Sequence, residues 1–512
     1  MATPTGEPTT GIQPGARYDV VIVGAGFGGI AAAIELKTHG FDDIVLLDAA
    51  PELGGTWYYN DYPGSACDVP SHFYSFSFAQ RGTWSRFCSP RAEILDYARQ
   101  VADAFDVTRH VVTSTRVTAC RWDDVTLSWS VHVEGPSGES GTLVAGAVVV
   151  ATGQLNQPAY PAVEGIDEFT GHSFHSARWD HDYDLAGKRV AVVGTGASAV
   201  QFVPEIAPRV ARLTVFQRTG NWLLPRRNSA YPRAIATLFR RVPWVNRLWR
   251  GLLFHYLEFL TAAIRHPRAL GWLWSVQSTL FMRWQLRDPE TRRKVWPDYT
   301  FGCKRVLFSS AFLPALQQAN VNLVTERIVR MTPRGPQTSD GRVHEVDCVI
   351  YATGFRTTEF MFPMEITGTG GRSLHDAWAG GPRAHLGITV SGFPSLFLMY
   401  GPNTNTSGGS IIFFLEAQAK YVRQALRLAR SHGAALDVRP EVENRSTTAV
   451  QNRFRGTAWT GCDSWYRDRN GRIIANWPDY MRDYARRTET LDSTEFDLIR
   501  DRSRSPGHVV RS

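Results

Sequence analysis

The apolar positions of this chain fall in short unbroken runs more than in alternating ones. VVIV at 20–23, IVLL at 44–47, AVVV at 147–150, VAVV at 190–193, LTVF at 213–216 and CVIY at 348–351 are each bounded by glycine, acid or polar residues. Runs of this length, rich in β-branched residues, read as strands buried on both faces, the kind found in parallel sheets covered by helices. Helical spacing follows the first run (30–37) and recurs near 90–105 and over 411–430, with further strands near 111–122 and 127–133. Val245, Leu248, Leu252, Tyr256, Phe259 and Ala263 recur at intervals of three and four, which predicts a long helix with an apolar stripe.

Two of the strand runs end in the same device. After VVIV, Gly24, Gly26 and Gly29 stand at GxGxxG spacing. Gly24 permits the tight turn, Gly26 lets backbone approach a pyrophosphate, and Gly29 lets the next helix lie close to the sheet. The helix then directs its N-terminal amides at the phosphates. Asp48, about twenty positions on at the end of the second strand, is placed to bind ribose hydroxyls. After VAVV the loop is GxGxxA, with Gly194, Gly196 and Ala199, and the position matching Asp48 is Arg218. A guanidinium there suits a 2′-phosphate, so the second nucleotide is expected to be NADP.

Composition narrows the class. The 512 residues suffice for two or three domains, and 43% hydrophobic with 20% charged content reads as globular. No apolar run approaches the roughly 18 residues of a membrane span. Residues 1–17 lack the apolar core of a signal peptide and read as a loose tail, as does 491–512, which is mixed in charge and poor in apolar residues. Six cysteines are scattered without a CxxC pair, which argues against a zinc site or a disulfide framework and suits a reducing cytoplasm. No metal and no nucleic-acid partner is expected. Between 226 and 305, sixteen Lys and Arg face four Asp and Glu, a net +12 in a chain of net +8. Six tryptophans share that stretch. Its basic residues suit a polyphosphate site; an aromatic, basic amphipathic face is also what contact with a membrane surface uses, but packing and cofactor electrostatics are the preferred reading.

The segment after Asp48, ELGGTWYYNDYPGSACDVPSHFYSFSF, mixes glycines with aromatic rings and suits a flat ring system held close to backbone. Asp68 stands out there among small and apolar neighbours. Between the two glycine loops, FTGHSFHSARWD carries Phe169, Gly171, His175, Trp179 and Asp180 in the pattern FxGxxxHxxxW[P/D]. With GGTWY, YPG and CD before it, and FQRT (216–219), GCKR (302–305), ATGF (352–355) and GFP…GPN (392–403) after it, the chain resembles the type I Baeyer–Villiger monooxygenases over about 18–488. Two positions depart from that pattern: Asp61 replaces an arginine before YPG, and Val306 a proline after the KR pair.

The resemblance implies an α/β fold of two Rossmann-like dinucleotide-binding domains, for FAD and NADP, with a helical insertion in the NADP domain. The FAD domain would comprise 18–160 and 356–490, the fingerprint linker 161–184, the NADP domain 185–228 and 300–355, and the insertion 229–299. Gly55, Thr56, Trp57 and Asn403 would join the FAD site. Thr219, Lys304 and Trp465 would join the NADPH site, Trp465 in a loop that folds over the nucleotide. His175 would couple domain movement and transfer no proton. The implied chemistry is oxygen insertion beside a ketone carbonyl through a flavin C4a-peroxide, with Arg305 and Asp68 as the catalytic pair. Substrates would be a small-molecule ketone and O2, and a monomer is favoured. The alternative is an amine- or sulfide-oxygenating flavin monooxygenase, whose linker usually lacks the Trp179–Asp180 ending. A pyridine-nucleotide disulfide reductase would need a redox cysteine pair soon after the first loop, and a non-catalytic nucleotide-binding regulator would not need Asp68 and Arg305.

Overall fold

The structure, a computed structural model, describes residues 15–500 apart from Arg227 and Ser407. Most of the tail expected at 1–17 and the end of that expected at 491–512 therefore lie outside the described residues. The buried runs form two sheets. Strands β1 (Arg17–Val23), β2 (Ile44–Leu47), β3 (Val111–Val112), β4 (Arg116–Asp123), β5 (Ser128–Glu134) and β6 (Ser140–Val150) join Glu365–Thr367 and Leu396–Leu398 in an eight-stranded sheet. Its centre is parallel, β1 lying between β2 and β6, while β4–β5 and β5–β6 pair antiparallel. The second sheet has five parallel strands in the order Val321–Val324, β9 (Arg212–Phe216), β8 (Arg189–Val193), Cys348–Tyr351 and β7 (His172–His175). The fold is the expected α/β pair of dinucleotide-binding units. One difference is that the fingerprint segment contributes β7, an edge strand of the second sheet.

Both sheets bring the same two chain segments together. Val23 pairs with Val150, so Gly24 lies beside Ala151 of the first ATG; Val193 pairs with Tyr351, so Gly194 lies beside Ala352 of the second. At both glycines φ is positive, +106° and +107°, and a Cβ would come within 2.6 Å and 2.5 Å of the alanine carbonyl oxygen. The turn and the close approach thus require glycine at each place. Helix Ile411–His432 lies against helix Phe27–Lys37, with Arg423 Nε donating to Glu35 Oε1 at 2.7 Å.

Three expectations are overturned here. Helix Pro243–Arg265 forms, but its stripe does not pack inward: Leu248, Leu252, Tyr256 and Phe259 are exposed, and Leu253, Leu257, Leu260 and Ile264 on the other side fill the core. Cys303 and Cys462 are joined by a disulfide across 159 positions, contrary to the reading of unpaired cysteines; Cys67, Cys88, Cys120 and Cys348 are free and buried. Part of the C-terminal segment expected to be loose is ordered, since Phe496–Ile499 pairs antiparallel with Ala435–Val438 and buries Phe496.

Candidate active site

The C-terminal ends of β1 and β6, the first glycine loop and the aromatic segment surround a cavity of about 1380 Å³. That exceeds the roughly 300–1,000 Å³ of a site for one drug-sized ligand and gives room for a dinucleotide and more. Gly24, Gly26, Asp48, Gly55, Thr56, Trp57, Asp68 and Arg305 all line it. Ala197 and Ser198 of the second glycine loop line it too, so both loops open toward one space. Gly29 lies beneath, where a Cβ would sit 1.9 Å from the Gly24 carbonyl oxygen, in keeping with a packing role.

Asp48 is buried at the end of β2, and its carboxylate accepts from the amides of Ala25 at 2.6 Å and Ala50 at 2.8 Å. Burial raises its pKa and those amides oppose the rise. The carboxylate is thereby fixed at the mouth of the first loop. Trp57 donates its indole N–H to the Tyr74 hydroxyl at 3.1 Å, and the Tyr74 ring meets Trp57 and Phe27 edge to face. These rings make one wall rigid and apolar.

Asp68 and Arg305, 237 positions apart, meet in this cavity. Arg305 Nη2 donates to both carboxylate oxygens, at 2.7 and 2.6 Å, and Nε to one of them at 3.2 Å. Asp68 raises the guanidinium pKa above its ordinary value, outweighing the cost of burial, so the cation does not titrate. About a third of the arginine side chain stays open to the cavity. Such a forked pair fixes a positive charge at the cavity wall.

The second loop is built from β8, with Gly196 open around its Cα and Ala199 buried in the following helix. Arg218, exposed at the end of β9, and Lys304 make no ion pair among the described residues. Partial burial lowers the Lys304 pKa, and the nearby Arg218 guanidinium lowers it further. Two cations set close enough to repel one another form a place for an anion, although Asp298 and Asp463 near Lys304 offset part of that repulsion without pairing with it. Thr219 is half-buried beside them. Trp465 is half-exposed, its ring tilted 51° against that of Tyr466 at 4.2 Å, and its carbonyl accepts from the Thr357 hydroxyl at 3.2 Å.

In the fingerprint segment, Gly171 has no room for a side chain: a Cβ would lie 2.4 Å from the Phe169 ring and 2.7 Å from the Asp347 carbonyl oxygen. Trp179 packs edge to face on Phe174 and on Phe202 of the second unit, and Asp180 accepts from His172 Nε2 at 2.8 Å. His175 is buried at the end of β7; burial holds its pKa down at about 4, so it is neutral. Asp61, one of the two departures, has its own partner in His181 Nε2 at 2.8 Å.

Asn403 does not fit the expectation that it faces a cofactor. It is absent from the cavity wall, and its amide donates to the carbonyls of Ile473 at 2.7 Å and Asn476 at 2.9 Å, binding two loops together. The sequence reading also missed two residues. Gln154, directly after the first ATG, donates to the carbonyls of Tyr400 and Gly401, while its own buried oxygen has no partner. Arg226 donates to the Cys67 carbonyl at 2.7 Å, next to Asp68. Only the position of Gln154, immediately beyond a strand end, carried any signal.

Fold and site together define a flavoprotein of the two-nucleotide type, with a fixed arginine–aspartate pair between the glycine loops. A family model described as pyridine nucleotide-disulphide oxidoreductase matches residues 21–238. A Baeyer-Villiger monooxygenase of Streptomyces coelicolor is 41% identical over 486 residues, 94% of this chain and 92% of the relative. The closed crystal structure of cyclohexanone monooxygenase superposes with a TM-score of 0.84 at 29% identity, covering 94% of this chain and 99% of that one. A structure of OTEMO in complex with FAD and NADP gives 0.83 at 28%, with the same coverage. The chain belongs to the Baeyer–Villiger monooxygenase family.

Proposed function

We propose that this protein is an FAD-dependent monooxygenase that uses NADPH and O2 to insert one oxygen atom beside a ketone carbonyl, giving an ester or lactone. The observation that carries the reading is the Arg305–Asp68 fork inside a cavity that both glycine loops reach. The residues fit FAD: Gly24 and Gly26 line the cavity where a pyrophosphate would lie, Asp48 stands ready for a ribose, and Gly55, Thr56 and Trp57 line the wall beyond. When bound and reduced by NADPH, the flavin supplies activated oxygen. Arg305 supplies a permanent positive charge against the anionic oxygen that must attack the carbonyl, and Asp68 keeps that charge in place. The Trp57 and Tyr74 wall excludes water. Gly194, Gly196 and Ala199 would receive the NADPH pyrophosphate, Arg218, Lys304 and Thr219 its 2′-phosphate, and Trp465 would cover it. Phe169, Gly171, His175, Trp179 and Asp180 would link the units, with His175 moving no proton.

An amine or sulfide oxygenase would not need a cation fixed by an aspartate in this way, so this second reading is less well supported. The partners are a small-molecule ketone and O2, with a monomeric enzyme. Dependence on NADPH favours the cytoplasm. The experiment is product analysis with the purified, FAD-loaded protein and a panel of ketones and sulfides. Esters or lactones formed with one NADPH consumed per product support the proposal. Sulfoxides as the only products, or a protein that stays colourless after incubation with FAD, overturn it.

A further inference from the structure

Seventeen large apolar side chains are exposed among the described residues, and twelve of them lie between Ile235 and Trp284. On helix Trp272–Gln285 they form a stripe: Trp272, Val276, Leu280 and Trp284 recur every fourth position, with Leu280 62% and Trp284 75% exposed. The two helices meet at Trp274, a buried residue on the other side of helix Trp272–Gln285, whose ring lies 6.3 and 6.2 Å from those of Tyr256 and Phe259 on the outward stripe of helix Pro243–Arg265. The opposite side of helix Pro243–Arg265 is already buried, so the outward apolar residues are surplus to the core. Two exposed apolar stripes on neighbouring helices mark a contact surface.

Its charge says what the contact is. From 233 to 287 seven arginines are exposed, Arg240, Arg241, Arg247 and Arg283 among them, and none forms an ion pair among the described residues. The single acid of that stretch, Glu258, is buried. A second copy of this chain docked through the same face would set unpaired guanidiniums against one another. An anionic lipid surface meets both demands: headgroups pair with arginine, and the apolar boundary below takes leucine and tryptophan. No helix among the described residues is long and apolar enough to cross a membrane.

We propose that helices Pro243–Arg265 and Trp272–Gln285 dock this protein in the plane of an anionic phospholipid bilayer. The test is flotation of the full-length, FAD-loaded protein with vesicles of phosphatidylcholine and phosphatidylglycerol, and with vesicles of phosphatidylcholine alone. The wild type floats with the anionic vesicles, and high salt weakens the association. L280D/W284D loses about tenfold or more of that partitioning, and R240Q/R241Q about fivefold per arginine on anionic vesicles alone. Both variants keep the bound-flavin spectrum and the NADPH oxidation rate in free solution, which shows that they fold. A wild type that never floats, or an L280D/W284D protein that floats as well as wild type, overturns the proposal. So does a concentration-dependent dimer in sedimentation that L280D/W284D abolishes, because it would make a second copy the occupant.

Discussion

Replacing Arg305 with alanine removes the one group proposed to stabilise anionic oxygen while leaving both nucleotide loops untouched. The change has a structural cost and a chemical one. Asp68 loses three contacts of 2.6–3.2 Å, but its side chain is 18% and that of Arg305 34% exposed. Solvent therefore screens the carboxylate left behind, and the penalty is about 1–2 kcal/mol rather than the ~3–5 kcal/mol of a fully buried pair. A fold of ordinary stability, about 5–15 kcal/mol, survives that loss. The chemical cost is larger: removing a preorganised charge of this type slows the step it serves by about 10²–10³. Arg305→Ala should therefore bind FAD and NADPH and still oxidise NADPH, with its electrons leaving as hydrogen peroxide instead of entering ester. Arg305→Lys keeps the charge but loses the fork and should fall between the two, roughly tenfold below wild type. The assay measures ester formed and hydrogen peroxide released per NADPH consumed. Coupling in Arg305→Ala equal to wild type would refute the assignment.

Arg218→Ala should weaken NADPH about 10- to 150-fold and NADH little, because the charge-assisted contact of ~1.5–3 kcal/mol exists only for the phosphorylated nucleotide; equal losses in titrations of both would exclude it. Cys462→Ser should lower the unfolding temperature, and reductant should do so for wild type but not for the variant, since a crosslink of this span is worth about 2–5 kcal/mol; superimposable melting curves would show the bridge to be idle. His72 and His175 are both held at about 4 by burial. The folded protein refuses protons that the unfolded chain accepts below about 6.5, so stability is full above that pH and is lost toward 4, on the order of 3 kcal/mol for each histidine. Denaturant midpoints at pH 7 and pH 5 check this, and equal midpoints would contradict it.

What the chain discloses before folding depends on how local the signal is. The two glycine loops are legible because strand, turn and helix are consecutive, and a positive φ at Gly24 and Gly194 leaves the turn no other residue. Asp68 stands out locally as an acid among small and apolar residues, but nothing local links it to Arg305, and only the ordered set of family motifs pairs them. Cys303 and Cys462 are likewise distant, and no spacing rule reaches across 159 positions. The strand Phe496–Ile499 is hidden for a different reason: mixed charge resembles a solvated tail until Ala435–Val438 offers it an edge. Helix Pro243–Arg265 shows the limit of periodicity. A period of 3.6 says that two faces differ, but both faces of this helix carry large apolar residues. Periodicity alone does not tell which of them the core takes.

Cys303, Lys304 and Arg305 compress three tasks into consecutive positions. Cys303 is bridged to Cys462, three positions before Trp465, the residue proposed to cover NADPH. Lys304 lies close enough to Arg218 to feel its charge. Arg305 grips Asp68 in the flavin cavity. A shift of this short loop would move the cover, the phosphate contact and the fixed cation together. In the proposed reaction that coupling has a use, because the cation is needed only while the nucleotide is in place. The bridge then belongs to the active site as much as to the scaffold, and its loss should loosen nucleotide retention as well as lower stability.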